Sequence, residues 1–218
     1  MKAFSIDFWR TLAVSNKQFS IKRAELFSQL LGVPVNQVSF NIERIGKLSD
    51  GINVNGGVCS ALSMFELLLE FCGKTGIDVG ASDLQKRSNE LFVEYPPLLI
   101  PETIDFIQKV VGDGAKCNLS SNTGYVEGEE IKKFLFESEI SGLLEFMLFS
   151  DEIQVSKPSS IFFEEVVNQY GDIYDIIHIG DDIYTDVYGA VRFGIPAFHF
   201  GSMPLSFENI ENHVLRTI

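Results

Sequence analysis

Reactive side chains fall in four places along this 218-residue chain: Asp7 with Thr11, Ser121 with Asn122, Ser156 with Lys157, and Gly180-Asp181-Asp182 followed by Asp186. Together they offer several carboxylates, hydroxyls and an ammonium, a set suited to a hard cation with oxygen ligands and an anionic substrate. Asp181, Asp182 and Asp186 are crowded enough to repel one another strongly, and a bound magnesium ion would remove that conflict. A solvated acidic helix start explains one or two such acids through the helix dipole, but not the crowding.

These groups can act together only if the fold gathers them. Each follows a short apolar run that reads as a strand: Lys2 to Ile6, Ala115 to Leu119, Phe146 to Phe149 and Ile176 to Ile179, with Ala197 to Phe200 as a fifth. Helical spacing covers Val126 to Phe136, Ser159 to Tyr170 and Ile183 to Phe193, the last closed by Gly194 and Pro196. Near-continuous apolar strands alternating with helices predict an α/β fold with a parallel sheet covered on both faces. The carboxyl ends of such strands line the ligand crevice, so all four clusters converge there.

The first two strands are too far apart for an ordinary crossover. Ser20 to Leu31, Ser60 to Phe71 and Ser82 to Val93 read as helices in the intervening segment, the last with Ser82 and Gln85 as a capping box. The expected organisation is a core of residues 1–13 and 96–218 with a helical cap at 14–95, Tyr95-Pro96-Pro97 acting as hinge and Pro101 starting the next helix.

Lys plus Arg is 17 and Asp plus Glu is 30, a net charge of −13 that opposes nucleic acid and anionic membrane surfaces. No apolar run has the length of a membrane span, and Met1 to Ala13 lacks the pattern of an export signal, so a cytoplasmic location is expected. Cys59, Cys72 and Cys117 are scattered and read as reduced and mostly buried; His178, inside an apolar run, reads as a core histidine.

The order and spacing of the clusters resemble the haloacid dehalogenase (HAD) superfamily. Its motifs correspond to Ser5-Ile-Asp7-Phe-Trp9-Arg10-Thr11-Leu12, Leu119-Ser-Ser121-Asn122-Thr123, Val155-Ser-Lys157-Pro158 and Ile179-Gly-Asp181-Asp182-Ile-Tyr-Thr-Asp186, over nearly the whole chain. The resemblance implies a Rossmann-like doubly wound core with an inserted helical cap. It implies Asp7 as a nucleophile forming a covalent aspartyl intermediate, Thr11 as the hydroxyl that holds the turn and orients it, and Ser121 as the hydroxyl binding the transferring group, helped by N–H groups at the start of the following helix. Lys157 becomes the neutralising cation, and Pro158 fits the start of a helix. Asp7, the Trp9 backbone carbonyl, Asp181, Asp182 and Asp186 become the surroundings of Mg2+. Asn122 and Arg10 join Ser121 and Lys157 on the substrate side.

One departure stands out. Phosphatases of this superfamily commonly carry a second Asp two residues after the nucleophile, where this chain has Trp9, and general acid–base catalysis contributes roughly 10²–10⁴-fold. Three readings follow: a magnesium-dependent phosphohydrolase of a small phosphorylated metabolite, a 2-haloacid dehalogenase-like hydrolase whose aromatic residue at this position fits, and a catalytically weak relative that binds a ligand or partner. The acidic fourth motif favours the first. Receiver domains are excluded because their acidic pair comes first in the chain. Gly51 to Gly57, with Arg44 and Lys47 upstream, reads either as a loop facing the cleft or as an ordinary connection.

Overall fold

A computed structural model describes residues 2–74, 79–171 and 175–216. Residues 75–78 of the expected cap lie outside them. Five parallel strands form the main sheet: β1 (Lys2–Ile6), β4 (Lys116–Ser121), β5 (Met147–Phe149), β6 (Asp175–Gly180) and β7 (Ala197–His199), in the order β5-β4-β1-β6-β7. β1 is central because its AFSI segment is buried on both faces. In register, Ile6 faces Leu119 on one side and Ile179 on the other, so Asp7, the Ser120-Ser121 end of β4 and Gly180 emerge at one level.

Alternation along the strands feeds two cores. Phe4, Ile6, Leu119 and Ile177 pack on one face against α5 (Pro101–Gly112), α6 (Gly128–Phe136) and α10 (Phe207–His213). Ala3, Leu148 and Ile176 pack on the other against α8 (Ser160–Tyr170) and α9 (Gly189–Phe193), with the single turn of α7 (Ser150–Ile153) following β5. The Rossmann-like α/β expectation agrees with this arrangement; β1 has its predicted limits and the other four strands differ from theirs by one or two residues at one or both ends.

Between β1 and β4 lie α1 (Lys17–Leu31), α2 (Val35–Asn53), α3 (Ala61–Phe71) and α4 (Ala81–Glu94), which share a third core around Phe27, Ile45, Phe65 and Leu84. α2 has no counterpart in the sequence reading. Gly51 to Asn53 form its last turn, and only 54–57 is a loop. Arg44 stacks on Phe71, its guanidinium carbon 4.3 Å from the ring centroid, and Lys47 pairs with Glu43 at 2.6 Å, so neither turns to the cleft. The predicted capping box at Ser82 and Gln85 is also displaced: Gly80 N donates to Asp83 Oδ2 at 2.9 Å, while Gln85 reaches Glu127 at 2.8 Å.

The chain enters and leaves the helices through a two-stranded antiparallel ribbon, β2 (Ala13–Val14) with β3 (Leu98–Leu99). Asn16 ties this junction together, its side chain capping Gln18 N at 2.9 Å and donating to Pro96 O at 3.2 Å. Pro101 does begin α5. α8 begins at Ser160 with Ser159 as its cap, so Pro158 precedes the helix instead of opening it. Among the described residues no helix is long and apolar enough to cross a membrane.

Candidate active site

Asp7 leaves the end of β1 with its backbone N–H on Ile179 O at 2.9 Å. The turn that follows closes through Arg10 N to Ala13 O at 2.7 Å and Leu12 N to Phe8 O at 2.9 Å, and it forces Arg10 to φ 62°. That left-handed conformation is strained for a residue with a Cβ. It projects the guanidinium across the mouth, where Nε lies 3.0 Å from Asp181 Oδ2.

Lys157, only 1% exposed, is the centre of the charge arrangement. Its ammonium donates to Asp7 Oδ1 at 2.7 Å, to Asp186 Oδ1 at 2.5 Å and to Ser120 O at 2.9 Å, which uses its three protons. Ser121 Oγ also donates to Asp7 Oδ1, at 3.1 Å. Asn122 holds the lysine by its backbone: Lys157 N donates to Asn122 Oδ1 at 2.8 Å, and Asn122 Nδ2 donates to Lys157 O at 2.9 Å. The Asn122 amide thereby positions Lys157, and the residue also lines the cavity into which the site opens.

The fourth motif is a π-helical turn, Ile183–Tyr188, instead of the start of a regular α-helix. Val187 N reaches back to Asp182 O at 3.2 Å, and the wider turn aims Asp186 inward. Asp186 Oδ2 accepts from Asp182 N at 3.0 Å and Oδ1 lies 3.1 Å from His178 Nε2. The Asp182 carboxylate caps the turn through Oδ1, accepting from Tyr184 N at 2.9 Å and Thr185 N at 2.8 Å, and supports the neighbouring acids without joining the converging group of Asp7, Asp181 and Asp186.

Carboxylate oxygens of Asp7, Asp181 and Asp186 lie within 4.8 Å of one another. An all-oxygen anionic set of this kind fits Mg2+ and not a soft metal. Asp7 Oδ2 and Asp181 Oδ1 have no hydrogen-bond partner among the described residues. Burial, chiefly, pushes the Asp7 carboxyl up to about 7, with Lys157 opposing and Asp186 reinforcing. The Lys157 and His178 contacts hold Asp186 well below the ordinary carboxylate range despite its burial. Burial also raises Asp181, against the pull of Arg10.

Gly180 is required by this packing: a Cβ there would lie 2.2 Å from Asp186 Cγ and 2.4 Å from its Oδ2. Gly180→Ala is therefore expected to displace the Asp186 carboxylate, with about 1–3 kcal/mol of destabilisation and weaker magnesium binding. A thermal melt with and without magnesium checks this; an unchanged magnesium response would show that Asp186 is not held by Gly180.

Three expectations need correction. Thr11 Oγ1 is buried without a hydrogen-bond partner among the described residues, so its hydroxyl does not orient Asp7; the Thr11 carbonyl instead accepts from Thr103 Oγ1 at 2.6 Å. Ser156 Oγ is spent on Asn53 O at 2.9 Å and Gly57 O at 2.7 Å, fastening α2 to the Lys157 loop. The helix after Ser121 starts only at Gly128, so its N-terminus does not begin beside that hydroxyl.

His178 is a core histidine with a specific attachment. Its lowered pKa, due to burial, keeps it neutral, so Nε2–H donates to Asp186 and Nδ1, 3.3 Å from Ser5 Oγ, accepts. Ser5 Oγ in turn lies 2.6 Å from Ser120 Oγ. This buried relay under the site had no signal in the sequence beyond polar residues inside apolar strands.

Asp7, Ser121, Lys157, Asp181 and Asp186 open into one cavity of about 580 Å³, within the ~300–1,000 Å³ usual for small-molecule sites. Trp9 lines it, its ring 4.7 Å from that of Phe8, and brings no titratable group. Arg23 from α1, and Ser49, Asp50 and Asn53 from α2, line it from the helical side; of these the sequence reading touched only Asn53, within the Gly51 to Gly57 segment it read as a possible loop facing the cleft.

Residues 154–199 match the model of the HAD-hydrolase-like family. No curated protein sequence matches the chain. Its fold is similar to the HAD-hydrolase YfnB from Bacillus subtilis bound to magnesium, at 14% identity and TM-score 0.74 over 97% of both chains. It is also similar to a HAD phosphatase from Thermococcus onnurineus, at 17% identity and TM-score 0.64 over 95% of this chain and 90% of that one. A 2-haloacid dehalogenase from Pseudomonas syringae pv. Tomato DC3000 is similar at 18% identity and TM-score 0.61, covering 94% and 92%.

Proposed function

We propose, from the premise that this chain is a HAD-like hydrolase, that it is a magnesium-dependent cytoplasmic phosphohydrolase acting on a small phosphorylated metabolite, with residues 14–95 as its cap. The observation that carries this reading is the Asp7, Asp181 and Asp186 triad around Lys157. Carbon–halogen displacement by a carboxylate needs no metal, so it does not account for so many acids. Phosphoryl transfer needs positive charge around the equatorial oxygens, and that is what a metal held by these acids beside Lys157 would supply.

The chain's own residues then have defined work. An Asp7 carboxylate oxygen attacks phosphorus, forming the aspartyl phosphate as the bond to the leaving oxygen breaks. Lys157 and Ser121 fix the other Asp7 oxygen, which aims the attacking one. Water then displaces phosphate from the acyl phosphate and restores the carboxylate. Trp9 cannot donate a proton to the leaving oxygen, so the reading commits to substrates whose leaving groups are acidic. Trp9 is also the observation that favours the second reading, a 2-haloacid dehalogenase, whose halide leaves unprotonated.

Release of phosphate from an aryl phosphate, with magnesium and with chelator, separates the two. Metal-dependent release supports the proposal; no release, together with halide from a 2-haloacid, replaces it with the second reading.

The raised Asp7 carboxyl gives a pH prediction. Without metal, native Asp7 holds a proton between its unfolded value of 3.8 and about 7, so the native state loses stability as pH rises through that window. Asp186, shifted the other way, contributes above 3.8 and is constant across it. Magnesium must displace the Asp7 proton. Its stabilisation is therefore expected to be small at about pH 5 and, at a hundredfold excess over Kd, to reach ~2.7 kcal/mol near pH 8, a Tm rise of about 5–10 °C. Melts at the two pH values check this, and Asp7→Asn should flatten the difference.

A further inference from the structure

Arg23, on α1, is 7% exposed and lines the cavity, yet among the described residues no carboxylate pairs with it and its Nε has no hydrogen-bond partner. Its guanidinium carbon lies 4.8 Å from the ring centroids of both Phe19 and Tyr125. The rings fix its position and return part of the lost hydration, but a buried charge without a counter-ion is costly. Burial pulls its pKa down to about 10, which leaves it charged at neutral pH.

Two more buried polar atoms share this condition. Ser49 and Asn53, one turn apart on α2, line the same cavity, and their Oγ and Oδ1 are buried with no hydrogen-bond partner among the described residues. Over 90% of buried polar groups in folded proteins are satisfied, so three orphans converging on one cavity call for an occupant. The guanidinium asks for a carboxylate or phosphate, the amide oxygen for a donor, and the serine accepts either.

We infer that the helical side of the cavity is a second anion subsite, in which Arg23 binds a carboxylate or phosphate of the substrate while Ser49 and Asn53 take a hydroxyl beside it. The assignment rests on the phosphohydrolase reading for the reacting end at Asp7. The substrate class becomes a hydroxylated phosphomonoester with an acidic leaving group and a second anionic group, the glycerol phosphates serving only as probes of binding. Such a ligand supplies the counter-ion that the fold withholds from Arg23, whereas a singly anionic ester leaves the guanidinium buried and unpaired.

The test is calorimetric titration of the full-length Asp7→Asn protein, with magnesium, using glycerol phosphate, phosphoglycerate and a glycerol bisphosphate. One or both of the doubly anionic ligands should bind about tenfold tighter or more than glycerol phosphate, and which of them does so distinguishes carboxylate from phosphate. Adding Arg23→Met should bring that ratio to about one, and Arg23→Lys, which keeps a charge if the methionine variant fails to fold, should shrink it. Equal affinities for all three ligands, or an advantage that survives both Arg23 variants, overturns the inference. Failure of the phosphohydrolase reading looks different: wild-type protein would release no phosphate while the binding ratio and its dependence on Arg23 persist.

Discussion

Asp7→Asn should abolish turnover while leaving the protein folded. The asparagine carbonyl can accept the hydrogen bonds that Lys157 and Ser121 now give to Asp7 Oδ1 at 2.7 and 3.1 Å, so the surroundings have no reason to collapse. With its carboxyl raised to about 7, Asp7 is already largely protonated in the metal-free protein near pH 6, and asparagine resembles that form closely. What disappears is the oxygen that attacks phosphorus. Loss of a nucleophile typically costs on the order of 10⁴–10⁶-fold in kcat, and steady-state kinetics should show a fall of that size beside a Tm within a few degrees of wild type. Activity above about one per cent would mean that another group attacks.

Lys157→Met should have the largest effect on stability. The methylenes are roughly preserved, but Asp7 and Asp186, both buried, lose the cation that joins them. Removing one partner of a buried ion pair costs about 3–5 kcal/mol, which for a chain of this size is a Tm lower by about 6–20 °C. The loss should depend on pH in a defined direction. Without Lys157, which opposes the rise, the native Asp7 pKa moves further above 7, while the unfolded value stays near 3.8. Protonation of native Asp7 then relieves the crowding, so stability should recover as pH falls from 8 to 5. A pH-independent deficit would show that the lysine matters only for packing.

How far the sequence foretold this molecule depended on whether a residue served the core or the cavity. The strands and most helices were legible because their buried positions are apolar, as in Phe4 and Ile6 of β1 or Phe162 and Val166 of α8. α2 was not. Its buried face runs Val38, Asn41, Ile45, Ser49, Asn53, a helical spacing that turns polar because Ser49 and Asn53 face the cavity and Asn41 donates to Phe71 O at 3.2 Å. A search for apolar stripes passes over such a helix.

At the site, chemistry was easier to read than geometry. Asp7, Ser121, Lys157, Asp181 and Asp186 are brought together as the motif order implied. Asp182, Asn122 and Ser156 took other work because caps and backbone clamps depend on turn shape, which residue type does not reveal. Arg23 left no trace in sequence, since a lone arginine on a helix ordinarily faces solvent.

The central claim is a covalent phosphoryl transfer to Asp7, and trapping that intermediate tests it most directly. Wild-type enzyme is mixed with an aryl phosphate and magnesium, quenched in acid, reduced with borohydride and digested. An acyl phosphate at Asp7 would be recovered as homoserine at position 7 by peptide mass spectrometry, and chelator or Asp7→Asn would remove the signal. Metal-dependent phosphate release with Asp7 unmodified, or the modification at any other residue, would contradict the account.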